Sequence, residues 1–139
     1  MNLAEALLAA DAGKITRKAT KQIEIPRLTE QFGVPFILDL KQIPYRRIRE
    51  IQDNATKINK DKTISVSNGE MYMALLCDGI ANKDFDQLEV LKHFGCATRK
   101  DLFAKIFLPG EIQDIADEIS QLCGYSTKNI QELTESVKN

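Results

Sequence analysis

Apolar residues recur at three- and four-residue intervals along most of the chain, the spacing of helices that bury one face. One example follows Pro44, whose missing N–H suits a first helical position. Its predicted buried stripe consists of Tyr45, Ile48, Ile51, Ala55 and Ile58. A second example begins at Gly110 and ends at Gly124, and its predicted apolar face consists of Ile112, Ile115, Ala116, Ile119 and Leu122. Both patterns predict amphipathic helices.

Four further helices are indicated by capping residues at their starts. In each, a Ser, Thr, Asn or Asp is followed three residues later by Glu, Gln or Asp, the spacing of a capping box. The predicted helices cover about residues 3 to 11, 68 to 81, 85 to 94 and 99 to 108, with caps at Asn2, Ser67, Asp84 and Thr98. Gly95 is expected to end the third of these in a left-handed conformation. A last helix is predicted at about residues 127 to 137, with Ile130, Leu133 and Val137 facing inward.

Two segments, residues 22 to 25 and 36 to 40, alternate between apolar and polar positions and predict strands. The segment between them contains Gly33 and is expected to be the loop of a hairpin or of a longer-looped pair. Pro26 and Pro35 confine such a pair to the edge of a sheet. Because a lone two-stranded ribbon is marginal in water, it is expected to lie on the helices or to pair with another chain.

The predicted fold is therefore mainly α, with six to seven helices and a small N-terminal β-hairpin, which is α+β in strict terms. Residues 63 to 66 are interpreted as a loop rather than as a third strand. One domain is expected over residues 1–139, with a helix and the hairpin in residues 1–43 and a helical core in residues 44–139. A chain of this length buries enough surface to fold without disulfides or metals.

Composition narrows the class of protein. The chain is 43% hydrophobic and 28% charged with a net charge of -1, which is normal for a soluble globular protein and argues against a polybasic nucleic-acid-binding protein. Glu5 and Asp11 argue against a signal peptide, and no apolar stretch reaches the length of a membrane span. An intracellular soluble protein is expected.

The charge is unevenly distributed along the chain. Residues 1 to 62 contain twelve basic and eight acidic residues, whereas residues 63 to 139 contain seven basic and twelve acidic residues. The densest basic segment contains Lys14, Arg17, Lys18 and Lys21. It has no aromatic residue that could stack on a base, so a solvated linker is favoured over a phosphate-binding arm.

No catalytic, cofactor-binding or metal-binding residues are predicted. The cysteines are odd in number and lack a C-x-x-C pair, so small buried hydrophobic residues are the favoured interpretation of Cys77, Cys96 and Cys123. The single histidine, His93, is expected to stabilise a helix end. Asp84 and Asp86 lack the Gly and distal Glu of a calcium loop. The protein is therefore not expected to be an enzyme, and a binding or assembly role gains weight.

One local pattern offers an alternative function. Residues 85 to 108 have the outline of a DNA-binding helix-turn-helix, whose second helix presents Arg99, Lys100 and Lys105. The excess of acidic residues in this half of the chain would repel phosphate. Structural packing of two helices is favoured, and a small DNA-binding regulator is kept as the alternative.

Three segments of the chain are distinctive. They are LLAADAGKI at residues 7 to 15, QFGVPFILDLKQI at 31 to 43, and HFGCATRKDLFAKIFLPGEIQDIADEISQLCGY at 93 to 125. In order and spacing they resemble the XkdN-like tail assembly chaperones of phages and prophages from Gram-positive hosts. The run from Phe94 to Gly110 is the most specific block, and residues 59 to 68 do not match.

The resemblance implies a protein that acts in the cytoplasm of the bacterial host. It would bind the tape measure protein, a long, helical and aggregation-prone chain that sets tail length. It would keep that chain soluble, help to recruit tail tube subunits and be absent from the finished particle. The edge strands and the terminal helix also favour a homo-oligomer. Neither nucleic acid nor a membrane is an expected partner, and the family has no catalytic residue to carry over.

Two groups of apolar residues are candidates for the partner-binding surface. The helix predicted at residues 99 to 108 has more apolar residues than one buried stripe needs: Leu102, Phe103, Ile106, Phe107 and Leu108. The short first helix offers Leu3, Leu7 and Leu8, because a terminal helix can undock from its own domain. In both groups, packing in the core is the simpler interpretation.

Overall fold

A computed structural model describes residues 1–125 and 128–133. Within these residues the protein is mainly α with some strands, as predicted. Its eight α-helices are α1 (Leu3–Ala9), α2 (Ala12–Ile15), α3 (Pro26–Phe32), α4 (Tyr45–Ala55), α5 (Asn68–Gly79), α6 (Leu88–His93), α7 (Arg99–Ile106) and α8 (Pro109–Leu122). The strands are β1 (Thr20–Glu24), β2 (Ile37–Lys41), β3 (Thr56–Ile58) and β4 (Ile64–Val66). A 3₁₀ helix occupies Lys83–Asp86.

β1 and β2 form an antiparallel pair whose register places Ile23 opposite Leu38. The predicted connection between the two strands is wrong, because it contains helix α3 rather than only a loop. Pro26 occupies the first turn of α3, where its missing N–H leaves no helical bond unmade. Gly33 ends the helix in the left-handed conformation at φ 74°. The pair therefore brackets a helix and is not a simple N-terminal hairpin.

A second antiparallel pair, β3 with β4, occupies residues predicted to be the end of a helix and a loop. The register places Ile58 opposite Ile64, and Ile58 is 78% exposed rather than part of a buried stripe. Tyr45, at the other end of the predicted stripe, is 73% exposed. The central residues of the stripe are buried as predicted: Ile48, Ile51 and Ala55.

Three of the predicted helix caps are confirmed. The side chains of Asn2, Ser67 and Thr98 each accept a hydrogen bond from the N–H three residues later. The helix predicted at residues 85 to 94 is wrong in its first half. Asp84 caps no α-helix there and lies in the 3₁₀ helix, and α6 spans six residues. Gly95 has the predicted left-handed conformation, with φ 69°.

The last predicted helix lies partly outside the described residues, which exclude Thr127 and Val137. Residues 128–133, which are described, form no helix. Ile130 and Leu133 are 83% and 82% exposed, so the prediction that they face inward is wrong.

Helices α5 and α8 pack against each other at the centre of the core. They approach closely at Gly79, where an added Cβ would lie 2.6 Å from Cδ1 of Ile119. β2 lies over α8 and contributes two fully buried side chains, Leu38 and Leu40. α4 covers α5 from another side. The N-terminal helices contribute no buried residue to this core.

Candidate protein-binding surface

The N-terminal helices α1 and α2 are short but individually capped. The Asn2 side chain accepts a hydrogen bond from the Glu5 N–H at 2.8 Å, and the Asp11 carboxylate accepts one from the Lys14 N–H at 3.2 Å. Such caps stabilise a helix start locally, without help from the rest of the domain. Every residue from 1 to 20 is exposed. The two helices therefore present their side chains to solvent rather than to the core.

Apolar side chains of α1 and α2 line a cleft of about 340 Å³. Its apolar walls are formed by Leu3, Ala6, Leu7, Ala10, Ala12 and Ile15. Leu3, Leu7 and Ile15 remain 76%, 68% and 74% exposed. Leu8 is 87% exposed and does not line the cleft. A groove of exposed aliphatic residues is typical of sites that receive an apolar helix face.

The second group of candidate residues, on α7 and immediately after it, contains both buried and accessible side chains. Three belong to the hydrophobic core, with exposures of 1%, 0% and 4%: Leu102, Phe103 and Phe107. The Phe103 ring lies 5.1 Å, centroid to centroid, from the ring of Phe85. Ile106 is half-buried, and Leu108 is 50% exposed. In this conformation only Ile106 and Leu108 of the group are accessible to a partner.

Two other groups of exposed apolar residues were not predicted from the sequence. Phe32 and Val34 flank Gly33 at the end of α3 and are 48% and 60% exposed. One face of the β3–β4 ribbon carries three exposed side chains, Ile58, Ile64 and Val66. The alternation in residues 63 to 66 was the available signal for the ribbon.

Arg27 of α3 fixes the turn between α7 and α8. Its Nε and Nη2 donate to the two carboxylate oxygens of Glu111 at 2.9 and 2.8 Å, and Nη2 also donates to the Ile106 carbonyl at 2.7 Å. Glu111 accepts a further bond from the Leu108 N–H at 2.8 Å. The hydrogen bonds from Arg27, with a smaller contribution from Leu108, lower the pKa of Glu111 against the opposing effect of burial. The turn that exposes Leu108 is therefore held in place.

Arg99, predicted to face DNA in the helix-turn-helix alternative, bonds within the protein. Its Nη1 donates to the carbonyls of Cys77 and Ile80 at 2.9 and 2.7 Å. Its Nη2 donates to the Asn82 carbonyl at 2.8 Å, and Nε and Nη2 together bind the Asp86 carboxylate. Every N–H of the guanidinium group has an acceptor in the chain, so Arg99 has no donor left for a base.

Lys105 is also engaged within the chain, since its Nζ donates to the Phe94 carbonyl at 2.6 Å. The helix before the turn, α6, has only six residues, fewer than the ten predicted for it. These observations count against the helix-turn-helix alternative.

The described residues contain no cluster of three or more His, Cys, Asp and Glu arranged to hold a metal ion. His93 is exposed at the end of α6. All three cysteines are half-buried, and burial raises the pKa of the Cys77 thiol, which makes it a poorer nucleophile. Over residues 1–125 and 128–133, no helix is both long and apolar enough to cross a membrane.

These features define a small, mainly helical domain with exposed apolar surfaces, an arrangement typical of domains that bind other proteins. A family model described as phage XkdN-like tail assembly chaperone protein matches residues 4–138. The chain therefore belongs to the XkdN-like phage tail assembly chaperone family, as the resemblance of its segments indicates. Its general role is tail assembly, in a family of chaperones that are not enzymes in general.

One solved structure supports the fold. It is the crystal structure of the protein YqbN, a target of the Northeast Structural Genomics Consortium, with a TM-score of 0.53 and 14% sequence identity. The match covers 77% of this chain and 87% of that chain. At this identity the likeness concerns the fold alone. Among curated proteins, none matches the chain in sequence.

Proposed function

We propose that the protein binds the tape measure protein, keeps it soluble and assists assembly of the tail tube in the host cytoplasm, and that it is absent from the finished particle. Membership of the family supports a role in tail assembly. The observation that carries the finer proposal is the apolar cleft between α1 and α2, where Leu3 and Leu7 remain exposed. Amphipathic helices are commonly bound in grooves of this kind.

The chemistry of the cleft fits a temporary contact with a long helical chain. Burial of aliphatic surface is non-directional, so one cleft can hold many apolar segments that differ in sequence. Leu8 extends the exposed apolar surface of α1, and Ile106 and Leu108 are proposed as a second contact. Tail tube subunits would displace the chaperone by covering the same segments. In this proposal several copies bind the tape measure protein. The function includes no catalytic step and involves neither nucleic acid nor a membrane.

Paired charge substitutions in the cleft test the proposal. The double variant Leu3→Asp, Leu7→Asp should fold as well as the wild type, because neither side chain is buried. It is expected to lose most of its capture of the tape measure protein in a pull-down from co-expressing cells. Leu88→Asp, on α6, is the matched control, since Leu88 is 65% exposed and lies outside the cleft. Full capture by the double variant would exclude the cleft as the binding site.

A further inference from the structure

Strand β1 has an open outer edge. The Ile25 N–H donates to the Phe36 carbonyl at 3.1 Å, which places the backbone groups of the odd-numbered residues of β1 toward β2. Because alternate residues direct their backbone groups to opposite sides, three residues direct theirs away from β2: Thr20, Gln22 and Glu24. These outward groups find no hydrogen-bond partner in the part of the chain that the structure describes.

The other edge of the same sheet is covered at its centre. The Ala81 N–H donates to the Asp39 carbonyl at 2.7 Å, and the Asp39 N–H donates to the side-chain oxygen of Asn82 at 2.7 Å. The Asn82 side chain also donates to the Ile37 carbonyl at 3.2 Å. The segment after α5 therefore covers the middle of the outer edge of β2, whereas no described segment covers the outer edge of β1.

An acidic groove of about 410 Å³ lies beside the open edge, between β1 and α8. Four carboxylates line it: Glu24, Glu111, Asp114 and Glu118. Lys21 pairs with Glu118 and Arg27 pairs with Glu111, whereas Asp114 has no ion pair among the described residues. The groove therefore has an excess of negative charge.

The segment that leads into β1 has the opposite charge. Lys14, Arg17 and Lys18 occur without an acidic residue between them, and all three are exposed. None of them takes part in an ion pair within residues 1–125 and 128–133. The same edge of the protein thus presents a basic segment and an acidic groove, as a self-complementary contact requires.

We propose that β1 pairs antiparallel with β1 of a second copy of this chain, which gives a two-fold symmetric dimer with a four-stranded sheet. Gln22 lies on the axis and exchanges two N–H···O bonds with Gln22 of the second copy, while Thr20 lies opposite Glu24. The chain before Thr20 then runs past Glu24 of the second copy toward its acidic groove. Lys18 and Arg17 of each copy contact the carboxylates of the other, and symmetry forms this contact twice.

The proposed pairing gives hydrogen-bond partners to the outward backbone groups of β1, which the two-stranded sheet leaves unpaired. A two-stranded sheet gains stability when it extends to more strands, and an open edge is a ready template for such pairing. The contact concerns self-association and goes beyond binding of the tape measure protein. It involves neither Leu3 nor Leu7, so the two proposals succeed or fail in separate experiments.

The mass in solution is the first test. Analytical ultracentrifugation of the full chain at high micromolar concentration should give twice the chain mass of 15.7 kDa. Gln22→Pro removes an N–H that points away from β2, so the β1–β2 ladder keeps its bonds and the dimer should weaken about tenfold or more. Gln22→Thr keeps the N–H and should remain dimeric. A monomeric wild type, or a folded Gln22→Pro variant that dimerises as tightly as the wild type, would overturn the proposal.

Cysteine crosslinking tests the register of the proposed β1–β1 pairing. It does not depend on Gln22→Pro, so it remains informative if that variant fails to fold. In a full chain with Cys77, Cys96 and Cys123 replaced by alanine, Gln22→Cys should form a disulfide dimer on mild oxidation. Its two Cα atoms would lie about 5.5 Å apart, within the range that a disulfide spans. Thr20→Cys alone should remain monomeric on a reducing-agent-free gel, because each Thr20 lies opposite Glu24. Equal crosslinking of the two variants, or none at Gln22→Cys, would contradict the pairing.

A charge reversal tests the part played by the groove. Asp114→Lys is expected to weaken the dimer by about tenfold and to make it less sensitive to salt. Asp117→Lys makes the same change of charge on the same helix at a residue outside the groove, and its dimer constant should stay near that of the wild type. Equal effects of the two variants would show that the groove makes no specific contact.

Discussion

Arg99 shows how one side chain can connect distant parts of this fold. Its five N–H groups bond carbonyls of Cys77, Ile80 and Asn82 and the carboxylate of Asp86. The guanidinium also lies over the Phe103 ring, 5.6 Å from its centroid. These bonds hold the end of α5 and the 3₁₀ helix against the start of α7.

Replacement of this guanidinium should destabilise the domain. Arg99→Lys keeps the charge but cannot reproduce the planar set of donors, so carbonyls between residues 77 and 82 lose their partners. We expect a loss of about 1–3 kcal/mol in the free energy of unfolding, measured by urea denaturation. Lys100→Ala, at the neighbouring exposed position, should change it by less than about 0.5 kcal/mol. Equal effects would show that the bonds of Arg99 contribute nothing specific.

Glu111 gives stability that depends on pH. Its pKa is lowered from its ordinary value of 4.5 in the folded protein, mainly by the bonds from Arg27, so the folded state favours the carboxylate. Stability from this group is present above the unfolded pKa and is lost as pH falls through the folded pKa. Glu111→Gln should therefore melt below the wild type at pH 7 and approach it under strongly acidic conditions.

Thermal unfolding of both proteins across this pH range measures the effect. Glu89→Gln is the matched control, because Glu89 is exposed and has no ion pair among the described residues. A difference between Glu111→Gln and the wild type that stays constant from neutral to acidic pH would contradict the account.

Some of these residue roles follow from the sequence and others do not. The caps Asn2, Ser67 and Thr98 were predictable because each cap side chain and the N–H that donates to it lie within one helical turn. The role of Arg99 was not, because its acceptors come from a segment about 20 residues earlier in the chain. A basic residue at a helix start therefore left DNA binding open as an alternative, whereas the folded chain uses Arg99 internally.

At the scale of elements, helices α5 and α8 approach each other closely at Gly79. A Cβ at Gly79 would lie within 3 Å of three atoms of the Ile119 side chain, which is itself fully buried. Gly79→Ala is expected to lower the free energy of unfolding by about 1–3 kcal/mol.

Gly69→Ala is the control for that prediction, because it lies in the same helix and has no atom within 4 Å of the added Cβ. The better helix propensity of alanine should leave this variant unchanged or stabilise it by up to about 1 kcal/mol. Denaturant unfolding of both variants makes the comparison. If Gly79→Ala is as stable as Gly69→Ala, α5 and α8 can move apart to admit the added methyl group without a loss in the free energy of unfolding, which would contradict the prediction.

Helices with a clear periodicity of apolar residues were predicted from the sequence. Elements that depend on pairing with another segment of the chain were not. The central stripe of α4 and the buried face of α8 follow the helical period and are buried where expected. Pro26 was interpreted as confining a strand pair to the edge of a sheet, although it also suits the first turn of α3. Ile58 fits the helical period of α4, but its pairing with Ile64 places it in a ribbon instead. Local pattern does not distinguish these outcomes.

At the scale of the whole molecule, the N-terminal helices lie outside the core that unites the rest of the domain. The sequence offered Leu3, Leu7 and Leu8 as a contact surface but also allowed them to pack inside. The structure shows them exposed, because α1 and α2 have no buried residue. Burial depends on how the complete chain folds, so it could not be read from the amphipathic pattern alone. The family and the mainly α class were predictable from the sequence.

Co-expression with the tape measure protein encoded nearby in the same phage or prophage tests the central claim most directly. The quantity to measure is the soluble yield of tape measure protein with the wild-type chain, with the Leu3→Asp, Leu7→Asp variant and without either. We expect the wild type to raise the soluble yield several-fold and to co-purify with the tape measure protein, and the variant to do neither. A tape measure protein that stays insoluble beside the wild-type chain, or one that the variant solubilises equally well, would contradict the account.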